Sequence, residues 1–148
     1  MSGIGNLLLC AAITGAAVTG VASPAQAASC MQFTRIQYDS PGRDTGSNTS
    51  LNSEQVGMRN GCTRVVTMSG WQLRDKEGHV YVFPATKVSP GKTIYVHTGS
   101  GVQSSAHRYW GSRWYVWTNT GDRARLWNGA VLVDECSWSS IRPGYKNC

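Results

Sequence analysis

Side chains able to do acid–base chemistry gather in MSGWQLRDKEGHVYVFP, residues 68–84. Arg74 and Asp75 are adjacent, and His79 follows among Trp71, Tyr81 and Phe83. A cation, a carboxylate and an imidazole are the parts of a general acid–base site. Their spacing argues otherwise, because adjacent residues on a strand point to opposite faces and do not converge on one substrate. Asp75 stands where a strand ends and Lys76-Glu77-Gly78 turns. A carboxylate there accepts the turn's N–H groups, and Gly78 supplies the positive φ that such a loop needs. The stretch reads as a hairpin with an acidic turn cap.

Other catalytic patterns fail on physical grounds. Ser89-Pro90-Gly91-Lys92 fits S-x-x-K, and His97-Thr98-Gly99 loosely follows K-T-G. Pro-Gly prevents the helical turn that would bring the serine and lysine together, so SPGK is a turn between strands. His79, His97 and His107 lack the spacing of a zinc site. Asp39 and Asp44 in DSPGRD lack the alternating carboxylates of a calcium loop. Gly99-Ser100-Gly101 is no phosphate loop, and Asn48-Thr49-Ser50 is a glycosylation sequon. No catalytic residue, metal or cofactor is expected. The alternative is a small secreted nuclease-like hydrolase using His97 or His107 with an Asp and an Arg, for which no spacing supplies a partner.

The stronger signal is HRYWGSRWYVW, residues 107–117, followed by DRARLW. Exposed aromatics stack on bases or sugars, and arginines pair with phosphates or carboxylates. Arg108, Trp110, Arg113 and Trp114, supported by Arg123 and Arg125, form the candidate ligand-binding patch. Trp110 and Trp114, beside glycine and loop residues, are expected to be exposed. The competing reading makes Trp117 and Trp127 core residues and the arginines their solvated neighbours.

These residues need a scaffold. Residues 7–22 are apolar or small, and SPAQAA follows with Ala25 and Ala27 as an A-x-A site. Residues 1–27 therefore read as a secretory leader cleaved after Ala27, leaving a single domain over 28–148 with no membrane span. The leader holds no charged side chain, so the net charge of +6 belongs to that domain and attracts anionic surfaces, polymers or acidic proteins. Four cysteines remain, Cys30, Cys62, Cys136 and Cys148, enough for two disulfides in one of three connectivities. Cys30–Cys62 with Cys136–Cys148 is preferred, since Cys148 is most easily reached by the strand end nearest in sequence. Bridged cysteines serve neither as nucleophiles nor as zinc ligands.

Short alternating runs separated by turn residues predict an all-β sandwich or barrel. MQFTRIQY, EQVGMRN, CTRVVTM, KTIYVHT, RWYVWTN, DRARLWN and AVLVDEC read as strands. In the hairpin, Trp71, Leu73, Tyr81 and Phe83 face the core, with Gln72 and Arg74 outward. DSPGRDTGSNTSLNS reads as a polar loop and SWSSIRPGYKNC as an irregular tail held by its cysteine. A monomer is expected.

Four motifs in order, Gly70 to Asp75, Pro90-Gly91, Val96 to Gly99 and Gly121 to Leu126, resemble the lamin tail domain, especially its small secreted bacterial forms. The resemblance covers residues 31–136 and implies an immunoglobulin-like β-sandwich acting as a non-catalytic interaction module. No rod precedes the domain, so filament roles do not carry over, and no catalytic residues are implied. SEQVGMRN departs from the pattern at Gln55 and Gly57, where a bulge or weak edge is expected.

Overall fold

A computed structural model describes residues 30–148. The expected leader, residues 1–27, lies outside the described residues. In chain order the elements are β1 (Met31–Gln37), α1 (Asn48–Ser53), β2 (Gln55–Asn60), β3 (Val66–Thr67), β4 (Gln72–Arg74), β5 (Val80–Val82), β6 (Lys87–Val88), β7 (Thr93–His97), β8 (His107–Tyr109), β9 (Asp122–Asn128), β10 (Val131–Trp138) and β11 (Tyr145–Asn147). They form a five-stranded sheet, β11-β1-β2-β7-β8, a four-stranded sheet, β10-β9-β4-β5, and the small pair β3-β6. No helix among the described residues is long and apolar enough to cross a membrane.

Alternation explains which faces meet. Phe33, Ile36, Val56, Met58, Ile94 and Val96 from one sheet are buried with Leu73, Tyr81, Phe83, Ala124, Leu126 and Trp138 from the other. The hairpin expectation holds: Trp71, Leu73, Tyr81 and Phe83 are all in this core. Tyr38 and Trp138 stack nearly parallel, with ring centroids 4.7 Å apart. In β1 the buried parity changes between Phe33 and Ile36, and a register shift between Phe33 and Arg35 absorbs it. An extra residue in one strand flips the faces beyond it.

Gly57 lies opposite this shift, but the expected weak edge is corrected. β2 is the middle strand of its sheet, and the irregularity is carried by β1. A Cβ on Gly57 would meet Thr34 Oγ1 at 2.9 Å and the Tyr95 ring at 3.1 Å. The missing side chain makes room for its neighbours.

Three further expectations change. RWYVWTN is a loop, because its N–H groups are taken by side-chain carboxylates in place of a neighbouring strand. The supposed polar loop contains α1, whose Ser47 cap accepts from Ser50 N. The tail returns as β11 and pairs antiparallel with β1. Both preferred disulfides form. Cys30–Cys62 joins the start of β1 to the turn beyond β2, and Cys136–Cys148 ties β10 of one sheet to the chain end beyond β11 of the other.

Candidate functional site

The placement of carboxylates determines the surface charge. Asp75 accepts from Gly78 N and His79 N at 2.7 Å each, the turn cap expected from the sequence. Asp122 accepts from Lys76 N, Thr118 N and Arg123 N. Asp134 accepts from Phe33 N and Glu135 N. Glu54 is fully buried and takes N–H bonds from Val116 and Trp117 at 3.1 and 3.0 Å, plus the Thr98 hydroxyl. These acids satisfy backbone donors, a use that turns them away from arginine and lysine. Among the described residues the only Arg or Lys ion pair is Arg123–Glu135, at 3.6 Å.

Three arginines gather on the outer face of the four-stranded sheet, where Arg123 pairs with Glu135 and, among the described residues, neither Arg74 nor Arg125 has a carboxylate partner. In DRARLWN, Ala124 and Leu126 point inward, so Arg123, Arg125 and Trp127 share the opposite face. The register places Arg74 directly opposite Arg125, and Gln72 opposite Trp127. Val80 and Val82 continue these rows on β5, while Leu132 and Glu135 continue them on β10. Arg74 lies over the Trp127 ring at 5.1 Å and donates to Gln72 Oε1. Arg125 Nη2 donates to the Asp75 carbonyl, while its Nε and the Trp127 Nε1 are buried without a hydrogen-bond partner. Like charges directly opposite on neighbouring strands repel. Val80, Val82, Val131 and Leu132 are exposed beside them, so the face mixes apolar and cationic groups.

The patch expected around residues 107–117 does not assemble. Arg108 is corrected: it is only 7% exposed, because parallel pairing with β7 sets it beside the inward-facing Val96. Its guanidinium donates to Thr86 Oγ1 and to the carbonyls of Ser104 and His107. Trp110 is corrected from exposed to partly buried, packed against Tyr81 and Trp117. Arg113 is exposed, and Trp114 is 66% exposed, on the loop after β8. Trp117 is buried, but Trp127 lies on the outer sheet face. The residues that sequence reasoning did not group with Arg123 and Arg125 on this face are Arg74 and Trp127. The shared parity of Arg123, Arg125 and Trp127 was the signal for the second.

Two histidines that are separated in sequence meet. His97 Nε2 lies 2.9 Å from His107 Nδ1, and His97 Nδ1 lies 2.8 Å from the Asn52 carbonyl. A carbonyl only accepts, so Nδ1–H donates and neutral His97 takes the His107 proton on Nε2. Burial pushes the His97 pKa down, with the His107 charge adding to it and the Asn52 bond opposing. Among the described residues neither ring has a carboxylate partner; the bond from His107 occupies the lone pair of His97 and leaves that of His107 Nε2. The histidine-with-aspartate pairing that the hydrolase alternative calls for is not formed at His97 or His107.

His79 does have an acid: its Nδ1 lies 2.5 Å from Asp75 Oδ2, and this bond raises the His79 pKa. Asp75, Glu77 and His79 are the one group of three potential metal ligands found among the described residues. Both Asp75 oxygens are already engaged by the turn, so the geometry serves the hairpin.

A family model described as the Lamin Tail Domain matches residues 24–140. No curated protein matches the chain significantly. The family is immunoglobulin-like and non-enzymatic, and the two facing sheets have that architecture. The chain belongs to the lamin tail domain family.

Proposed function

We propose that this domain is a non-catalytic binding module that holds a polyanion against the outer face of its four-stranded sheet. Arg74, Arg123 and Arg125 supply the charge and Trp127 the aromatic surface. The observation that carries the reading is the cross-strand pair Arg74–Arg125, with no carboxylate paired to either guanidinium. An anionic group between them removes their repulsion and adds charge-assisted hydrogen bonds. The net charge of +6 brings such a partner in from a distance. Repeated anionic groups are common to wall polymers, acidic polysaccharides, extracellular DNA and acidic proteins.

The module is read as a secreted monomer of the small bacterial type, acting outside the cell or at its surface. Two disulfides support an oxidising compartment, and the apolar leader with its A-x-A site supports export. No cofactor enters the reading.

The test measures affinity for polyphosphate and for duplex DNA over a range of salt, with turnover of each polymer followed in parallel. Arg74→Gln/Arg123→Gln should weaken binding and lower the slope of log affinity against log salt by about two for DNA. An unchanged slope removes this face from the account. Polymer degradation by the wild type makes the protein an enzyme.

A further inference from the structure

The geometry points to a second binding site, for a pyranose saccharide without acidic groups, in the cleft beside Trp114. The cleft has a volume of about 440 Å³ and is lined by Trp114, Asp44, Glu77, Thr118, Asn119 and Thr120 among others. That volume falls within the roughly 300–1,000 Å³ of small-molecule sites. It shares no lining residue with the arginine face and does not rest on the polyanion reading.

Three features define the ligand. Trp114 offers a flat apolar surface that is 66% exposed, which suits the C–H face of a sugar ring. Around it stand hydroxyl, amide and carboxylate groups able to bond a ring's substituents. Asn119 donates to Asp39 and leaves its carbonyl oxygen free, Thr118 donates to Glu77, and Asp44 and Thr120 are exposed. Ionised carboxylates accept several hydrogen bonds each, which matches a polyol. No arginine or lysine lines the cleft, so uronic acids and phosphates are repelled in a protein that otherwise attracts them.

The indole belongs to a platform, since a cation cage would need several ring faces. Tyr115 meets Trp114 edge-on, at 72° with centroids 5.4 Å apart. Its hydroxyl is engaged by Ser50 Oγ and Gly46 N. A Cβ on Gly46 would come within 2.9 Å of the indole, so the loop before α1 backs the ring. Ser112 Oγ bonds both the N–H and the carbonyl of Trp114. Glu54 anchors Val116 and Trp117 just beyond. The aromatic surface is held in place before any ligand arrives, which limits the ordering cost of binding.

The experiment titrates the domain with cellohexaose, chitohexaose, an oligogalacturonate and tetramethylammonium, following tryptophan fluorescence and calorimetry. At least one of the two uncharged oligosaccharides should bind, and Trp114→Ala should weaken it by about tenfold or more. Arg74→Gln/Arg123→Gln should leave that binding unchanged, so loss of polyanion affinity and loss of saccharide affinity separate. Circular dichroism of the exposed-site variant verifies its fold. The inference is overturned by no uncharged oligosaccharide binding at millimolar concentration, or by equal binding of the oligogalacturonate. Binding of tetramethylammonium alone, or saccharide binding indifferent to Trp114→Ala, overturns it too.

Discussion

Removing the Glu54 carboxylate should unfold the long loop after β8 before it disturbs either sheet. Glu54→Ala leaves Val116 N, Trp117 N and the Thr98 hydroxyl without their acceptor in a buried site. Each unmet buried donor costs about 1–3 kcal/mol, and water entering the vacated space offsets part of that. The expected loss is about 3–5 kcal/mol, measured by urea unfolding. Glu54→Gln keeps one acceptor oxygen but sets an amide N–H against a backbone N–H, for a loss of about 1–3 kcal/mol.

The pH dependence gives a sharper signature. Burial pushes the Glu54 pKa from 4.5 up to about 7, with the bonds from Thr98, Val116 and Trp117 opposing. Between those two values the folded state binds more protons than the unfolded state, so this group's contribution falls as pH rises. At about 1.36 kcal/mol per pKa unit the fall is at most about 3 kcal/mol. The stability difference between wild type and Glu54→Gln should therefore shrink from pH 5 to pH 8. Subtracting the two curves cancels the titration of His79 and His97. A difference that is constant or widens with pH refutes a carboxyl held partly protonated by burial. A loss below about 1 kcal/mol for Glu54→Ala refutes its anchoring role.

Three further outcomes follow from the same packing. Arg108→Ala should cost about 1–3 kcal/mol through its lost bonds to Thr86, Ser104 and His107, while polyanion affinity per folded molecule stays unchanged. In an NMR titration, His79 should titrate above 6.5 because of its bond to Asp75. Asp75→Asn should lower that midpoint. The pair's contribution is complete below pH 6.5 and is lost as pH rises through the raised value. Replacing Cys136 and Cys148 by serine opens a link spanning a separation of 12 residues. It should lower stability by about 2–4 kcal/mol in urea titration, and β11 should exchange its amide hydrogens first.

Much of the fold was legible because alternation is a local property. Trp71, Leu73, Tyr81 and Phe83 could be assigned to the core from parity alone, and Asp75 to its turn from its place before Lys76-Glu77-Gly78. RWYVWTN was misread because its composition suits a strand. Its amides are satisfied by Glu54 and Asp122, partners distant in the sequence or beyond the next turn. Arg108 was misread for a related reason. Which face of β8 turns inward follows from parallel pairing with β7, and nothing within residues 107–109 announces that partner. The candidate site was legible in half. Arg123 and Arg125 could be named from the sequence, but Arg74 joins them only through the β4–β9 register.

The central claim concerns where a polyanion lies. The most direct measurement is an NMR titration of the domain with polyphosphate, following backbone amides, arginine Nε–H and tryptophan indole N–H signals together. The account predicts the largest shifts at Arg74, Arg123, Arg125 and the Trp127 indole, with Trp114 unmoved. Shifts centred on Arg113 and Trp114, or spread evenly over the exposed lysines and arginines, would contradict it.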